Sequence, residues 1–359
     1  MGSSAAGSKN VGIFAFVGPI RHLVGRVSSL PMKLADSLLV QMHDLMVKTR
    51  VLEERLITMY KQGDGYFWIG GPGEEAFNVP LGMMVQKGQG PAHDYVHLHY
   101  RSAGTLLAMG ADPVDFLRQM KNTATDPFSG GRNFAGHVSI RKWNVAPISS
   151  PIEIQFSIAP GTAMAQKRLG GTGITIVQGG DAGTAEGDFA TCLIWSSRKG
   201  SELPVLMIVT NNRFGISTPF ESQHGETYIA DRGKAFGMET AVIDGNDPES
   251  SWQGLTTAMN YVREKRRPYL LEVAVSRLYG HSSASGANFQ KDVPDCLANF
   301  EASLEKRGVL TRPAMDAVRE RYVTELANAS KIVREEPQPD GSTIFDHVFA
   351  SKNLVGGEL

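Results

Sequence analysis

The chain has 359 residues, with 36 basic and 37 acidic side chains, 42% hydrophobic residues and two cysteines. That length allows one large α/β domain or two modest ones, and the near-balance of charge offers neither a basic surface for nucleic acid nor an acidic tract. Cys192 and Cys296 stand far apart, which argues against a disulfide framework or a Cys-type zinc site and fits a reducing compartment, and no apolar run is long enough to span a bilayer.

Residues 1–31 are small, polar and glycine-rich, with one apolar patch from Val11 to Ile20 and no acid before Asp36. We read them as a flexible arm or a leader; a mitochondrial targeting segment has the same composition. Leu38, Leu39, Met42, Leu45, Met46, Leu52, Leu56 and Met59 then recur at helical spacing. They predict an amphipathic helix, capped near Asp36 or Ser37 and ended by Gly63-Asp64-Gly65. Tyr66-Phe67-Trp68-Ile69 precede a glycine turn carrying Glu74 and Glu75, two acids that suit the first turn of a helix. His93, His97 and His99 lack the carboxylate spacing of a metal cluster. Residues 126–143 read as a long loop, a length that is often functional. Gly161, Ala163 and Ala165 suit a tightly packed helix at a subunit contact.

The stretch from Ile174 to Pro219 carries the clearest chemistry. Ile174, Ile176 and Val177 form a buried parallel strand that ends at Gly179-Gly180. Thr184 is placed to cap the next helix, which carries Phe189, Cys192, Leu193 and Trp195 towards a sheet. Pro204 to Thr210 is the second strand, and Asn211-Asn212 lies just beyond it. Ligands of open α/β sheets bind outside the carboxyl ends of the strands. Asp181 and Asn212 both sit at such ends, and hard oxygen donors of this kind suit Mg²⁺ that completes its shell with phosphate. Gly179, Gly180 and Gly183 let the backbone approach a ligand, and a following helix N-terminus attracts anions. The local expectation is a metal-diphosphate site; a plain strand-to-helix turn is the alternative. The spacing lacks the G-x-G-x-x-G pattern of nicotinamide sites.

Beyond this block, strands at 239–243 and 269–275 flank a helix around Leu255, Met259 and Val262. That alternation predicts a doubly wound parallel sheet. Residues 295–334 read as two helices separated near Gly308 and Pro313.

Gly180-Asp181, a helix and a strand, then Asn211-Asn212 resembles the thiamin-diphosphate signature that opens with Gly-Asp and closes with Asn-Asn. From about Leu38 onwards the chain resembles the alpha subunit of the decarboxylating component of 2-oxo acid dehydrogenase complexes. Branched-chain (2-oxoisovalerate) members look nearest, with pyruvate and acetoin enzymes close. The resemblance implies a thiamin-diphosphate-binding α/β fold with helical N- and C-terminal extensions. Its parts would be the arm or leader at 1–31, the cofactor-binding domain at 32–290, and a helical extension and tail at 291–359.

The same resemblance implies roles for single residues. Asp181 and Asn212 would give side-chain oxygens, and Phe214 its carbonyl, to Mg²⁺. Gly180, Ala182, Gly183, Ser150 and Ile152 would contact thiamin diphosphate. Tyr100 and Arg101 would meet its diphosphate, for which the planar guanidinium fork is suited. His281 would lie over the diphosphate and the reacting carbon as the catalytic residue. Arg132 and His137 fall in a loop ordered over the cofactor, and Trp68 falls near the substrate entrance. Ser149, Pro151 and Gln155 match a K⁺ site, although Ile154 replaces an expected threonine. Ala182 departs from a Gly-Asp-Gly pattern. Thr210 replaces an arginine on the diphosphate; losing a charged hydrogen bond of roughly 1.5–3 kcal/mol predicts cofactor affinity weaker by about one to two decades. Ser282 occupies a phosphorylation position of animal relatives, but Ser285-Gly286 replaces the usual continuation, and Phe345-Asp346 matches the family's tail.

The implied reaction is decarboxylation of a 2-oxo acid on thiamin diphosphate, with acyl transfer to a lipoyl arm of an acyltransferase component. The implied assembly is α2β2 with a beta subunit that supplies the activating glutamate, so the chain alone is expected to be inactive. Three functions stay open here: a branched-chain enzyme, the same architecture on pyruvate or acetoin, and a non-catalytic assembly or regulatory homologue. The expected compartment is a bacterial cytoplasm, with the mitochondrial matrix as the alternative.

Overall fold

A computed structural model of the chain describes residues 33–346 and 348. The arm or leader expected at 1–31 and the end of the tail lie outside those residues. Helix α1 (Asp36–Lys61) presents its apolar stripe inwards, with Leu39, Met42, Met46, Leu52, Leu56 and Met59 all buried. Its N-cap is Ala35, with no side-chain cap, so neither Asp36 nor Ser37 has the expected role. Packing of the buried stripe holds the start in place of a cap. Gly63, in the left-handed region at φ 77°, lies just past its end as anticipated.

Helix α2 (Glu75–Met84), strand β1 (Tyr95–His97) and helices α3 (Ala103–Ala108) and α4 (Pro113–Lys121) follow. Helix α5 (Ile154–Arg168) leads into β2 (Thr175–Gly180), α6 (Gly187–Ser196) and β3 (Val205–Asn211). Then come α7 (Asp231–Lys234), β4 (Glu239–Asp244), α8 (Pro248–Lys265), β5 (Tyr269–Ala274), α9 (Cys296–Lys306) and α10 (Arg312–Arg334). The five strands pair in parallel in the order β1-β2-β3-β5-β4.

The sheet is covered on both faces, as the continuous apolar strands demand. Ile176, Leu206, Ile208, Leu271 and Val273 point to one core, shared with α1, α2 and α8. Their alternates Val177, Val205, Met207, Val209 and Leu270 point to a second core, shared with Phe156, Ala159 and Ala163 of α5 and Phe189, Cys192 and Leu193 of α6. The period-2 alternation therefore divides the sheet between two helical layers. The C-terminal helices α9 and α10 contribute Phe300, Leu304, Tyr322, Leu326 and Val333 to the first core.

Two further local expectations are corrected. Thr184 does not cap α6; it lies in a short 3-10 turn at Ala182–Ala185, and its hydroxyl donates to the Asp181 carbonyl at 2.7 Å. A threonine hydroxyl in a turn can bond back to a carbonyl three residues earlier, and here that bond wins over helix capping. Trp195 is not turned to the sheet; it is half exposed, with the Arg198 guanidinium 4.4 Å from its ring centroid.

Candidate active site

Parallel pairing sets Gly180 opposite Thr210, which brings the tips of β2 and β3 together. The next residue, Asp181, donates its backbone N–H to the Thr210 carbonyl at 3.2 Å. Its side chain is buried. Burial raises the carboxyl above its ordinary range, while its own N–H, His224, the Asn212 backbone N–H and Arg277 pull it down. A carboxylate and the Asn-Asn pair thus meet at one edge. Asn211 turns inwards, donating to Glu272 at 2.8 Å. Asn212 stays at the surface of the tip, its Oδ1 accepting the Phe214 N–H at 3.2 Å. The Phe214 carbonyl accepts from Arg277 Nη1 at 3.2 Å.

Arg277 lies just beyond the last strand, β5, and no sequence pattern marks it as a site residue. Because β5 runs beside β3, its extension returns to the same tips. Burial and the neighbouring Arg101 push the Arg277 guanidinium down to about 10, while Asp181 pulls it up. Thr210, where an arginine was expected, is buried and gives its hydroxyl to the Gly179 carbonyl at 3.2 Å. The edge therefore keeps a guanidinium, carried by the segment beyond β5.

Arg101 is buried beneath Tyr100, whose ring centroid is 5.2 Å from its guanidinium carbon. It donates to the Gly70 carbonyl, and through Nη2 to the His281 carbonyl at 3.1 Å and to His281 Nδ1 at 3.2 Å. A guanidinium can only donate, so Nδ1 is the acceptor and the imidazole proton resides on Nε2. Burial, Arg101 and Arg277 together push His281 down to about 3. His281 is therefore neutral at physiological pH and offers one N–H. Tyr100 packs edge-on to it with centroids 6.2 Å apart.

Two buried carboxylates border this cationic wall. Neither oxygen of Glu74 has a well-formed hydrogen-bond partner, although Asn78 and Arg101 are near enough to lower its pKa; burial dominates and holds it up at about 8. Glu153 was missed from sequence. It sits between Ile152 and Ile154 at φ 62°, a left-handed conformation that turns its side chain under β2. Its Oε1 accepts the Gly180 N–H at 3.0 Å and its Oε2 has no partner. Burial and the charges of Asp181, Asp188 and Glu186 hold it at about 8 against the pull of that N–H. The only sequence signal was an acid inside an apolar run, Ile152-Glu153-Ile154.

The remaining expected residues fall as follows. Gly180, Ala182 and Gly183 lie with Asp181 at the turn. Ser150 and Ile152 are exposed on the loop leading to Glu153. Gln155 is buried and donates to the Gln178 carbonyl at 3.0 Å, while Ser149 and Pro151 precede it. His137 is turned in, its ring 6.4 Å from that of Tyr100. Arg132 is turned away, donating to the Thr343 carbonyl at 3.2 Å. Trp68 is fully buried and donates to Glu53 at 2.8 Å, a core aromatic beside the turn. Ser282 is buried in a capping box with Ser285. Among the described residues no three His, Cys, Asp or Glu side chains converge as a metal cluster.

The donor set suits a diphosphate held through a divalent ion: hard oxygens at Asp181 and Asn212, faced by the buried guanidinium of Arg101 and the half-buried one of Arg277, which repel one another.

A family profile described as the dehydrogenase E1 component matches residues 43–342. The chain is 28% identical over 325 residues to the 2-oxoisovalerate dehydrogenase subunit alpha of Bacillus subtilis (strain 168), covering 88% of this chain and 97% of that one. It is 26% identical over 325 residues to the 3-methyl-2-oxobutanoate dehydrogenase subunit alpha of Mycobacterium tuberculosis (strain CDC 1551 / Oshkosh), covering 88% and 84%. It is 30% identical over 251 residues to the mitochondrial 2-oxoisovalerate dehydrogenase subunit alpha 1 of Arabidopsis thaliana, covering 70% and 51%. No helix of the described residues is long and apolar enough to cross a membrane.

Proposed function

The chain belongs to the dehydrogenase E1 component family, and on that premise we propose that it is the alpha subunit of a thiamin-diphosphate-dependent 2-oxo acid dehydrogenase acting on a branched-chain substrate of the 3-methyl-2-oxobutanoate type. The observation that carries this reading is the meeting of Asp181 and Asn212 with Arg101, Arg277 and His281 at one sheet edge. Asp181 and Asn212 hold Mg²⁺ through their side chains, with the Phe214 carbonyl. Tyr100, Arg101 and Arg277 face the diphosphate, and Gly180, Ala182, Gly183, Ser150 and Ile152 complete the cofactor's surroundings. Ser149, Pro151 and Gln155 are the candidates for K⁺. When bound, thiamin diphosphate supplies the electron sink on which a 2-oxo acid loses CO₂.

What the chain itself contributes is orientation and one proton position. Arg101 would hold the His281 ring so that Nε2–H is the free donor, a neutral hydrogen-bond donor towards whatever binds at the strand tips.

A beta subunit completes the site, in an α2β2 assembly that passes its acyl group to a lipoyl-bearing component. An uncovered apolar face supports a partner: Ile158 and Met164 of α5, Leu169 just past its end, and Ile194 and Trp195 of α6 are exposed, and these helices pack on one another. We assign 32–290 to the cofactor-binding unit and 291–359 to the extension, and a bacterial cytoplasm as the compartment. One observation favours a non-catalytic homologue instead, the Glu153 carboxylate pressed against the glycine turn. Reconstitution with the beta subunit decides. Saturable thiamin diphosphate and Mg²⁺ binding, with turnover of 3-methyl-2-oxobutanoate above pyruvate and acetoin, is expected. Turnover by the chain alone overturns the partner assignment, and absence of cofactor binding in the assembled protein favours the non-catalytic reading.

A further inference from the structure

A cleft of about 510 Å³ lies away from the strand tips, where α1, the start of α4 and α10 pack on one another. That volume is within the roughly 300–1,000 Å³ of small-molecule sites. Its walls hold two pairs of opposite charge at i, i+4 spacing, Asp44 with Lys48 on α1 and Arg321 with Glu325 on α10. Such pairs ordinarily close along their own helix. Here one member of each is taken by the other helix: Asp44 Oδ1 accepts from Arg321 Nη2, and its Oδ2 accepts from the Tyr322 hydroxyl at 2.6 Å. The crossing bond uses the anion of one pair and the cation of the other, so Lys48 and Glu325 are left over. Lys48 is half-buried and keeps the Tyr322 ring, whose centroid is 5.7 Å from its Nζ. Glu325 is exposed, with no hydrogen bond or ion pair among the described residues. Asp112 caps α4 through the Val114 N–H at 2.9 Å, and the rest of the lining is apolar: Pro113, Val114, Leu326 and Ala329.

We propose that this cleft binds an α-amino acid with an aliphatic side chain. Lys48 takes the carboxylate, Glu325 takes the ammonium group, and the apolar lining receives the side chain. A ligand of a single charge answers only one of the two groups left over by the Asp44–Arg321 bond. Each charged contact is open to water and weak by itself, so recognition needs both together with the apolar contact. No residue assigned to the strand tips lines the cleft, so the proposal stands apart from the thiamin-diphosphate reading.

The test uses the full chain, alone and assembled with its beta subunit, titrated calorimetrically with L-valine and L-leucine. Isobutylamine lacks the carboxylate, 3-methylbutanoate lacks the ammonium group and glycine lacks the side chain, so each probes one part of the recognition. Valine or leucine is expected to bind at one site, and each of the three probes about fivefold more weakly or worse. Lys48→Met and Glu325→Gln should each weaken amino-acid binding by about fivefold or more, with unchanged unfolding midpoints as the guard against a folding defect. Ala329→Phe fills the cleft without removing either charge and should abolish binding. No binding of either amino acid to the wild type overturns the proposal, as does affinity within twofold of wild type in any of the three variants. A probe that binds within twofold of the amino acids overturns the zwitterion assignment. Binding to the chain alone that the beta subunit abolishes also overturns the proposal and makes the cleft a subunit contact.

Discussion

Two buried charge clusters flank the Gly70–Gly73 turn, and they are built on opposite terms. In the first, Glu75 accepts from Arg50 Nε at 2.6 Å and Nη2 at 3.1 Å and from the Gly73 N–H at 2.8 Å. The other edge of Arg50 grips Asp295 at 2.8 and 3.0 Å, tying α1 and α2 to the start of α9. In the second, Glu74 has only a loose ion pair with Arg101 at 4.0 Å and Glu153 keeps one unpartnered oxygen, Arg101 and Arg277 repel each other, and His281 is held uncharged. Neighbouring glutamates in one sequence thus have different tasks. Glu75 is neutralised within the chain and holds helices together. Glu74 faces a site whose charges balance only when something else arrives.

Breaking the first cluster should have the largest effect. Arg50→Ala leaves Glu75 buried and unpaired, and should cost about 3–5 kcal/mol of stability by denaturant unfolding. A loss under 1 kcal/mol would erase the distinction. In the second cluster the damage should fall on binding instead. Asp181→Ala should weaken thiamin diphosphate and Mg²⁺ binding by about two decades, a charge-assisted contact being worth roughly 1.5–3 kcal/mol. Its unfolding midpoint without cofactor should not drop, because a buried carboxylate above its ordinary pKa gains nothing from the fold.

The second cluster should also show in pH dependence. Glu53, Glu74 and Glu153 sit at about 7, 8 and 8 in the fold, raised first of all by burial. Raised carboxyls retain protons that the unfolded chain has released. Their contribution is complete below the unfolded value of about 4.5 and is lost as pH rises through 7 to 8. The cofactor-free protein should therefore melt lower at pH 9 than at pH 6, and Glu74→Gln should flatten that slope; an unchanged slope would remove Glu74 from the cluster. The smallest effect belongs to the surface. Arg213 and Glu221 pair in the open, so Glu221→Ala should change stability by less than about 0.5 kcal/mol in the same unfolding assay.

How far these clusters could be read from sequence follows from the distances along the chain. The apolar alternation of β2, β3 and β5 fixes a two-faced parallel sheet by local pattern alone, and it places Asp181 and Asn212 at adjoining tips. Tyr100, Arg101 and His281 came from resemblance, since nothing periodic links Arg101 to a histidine 180 positions later. Glu153 escaped because its placement depends on a left-handed backbone and on two glycines in another element. Trp195 and Thr184 went astray through helical patterning that took no account of which face stayed uncovered and of a competing turn bond.

Arg101 has one hand on the Gly70 carbonyl and the other on the His281 ring. The loop bearing that ring is stitched to the same turn, since Trp68 and Ser283 exchange bonds at 3.1 and 2.8 Å. The turn and the imidazole are therefore joined twice, through Arg101 and through the Trp68–Ser283 pair, so loosening either tie should let the ring tilt away from the strand tips.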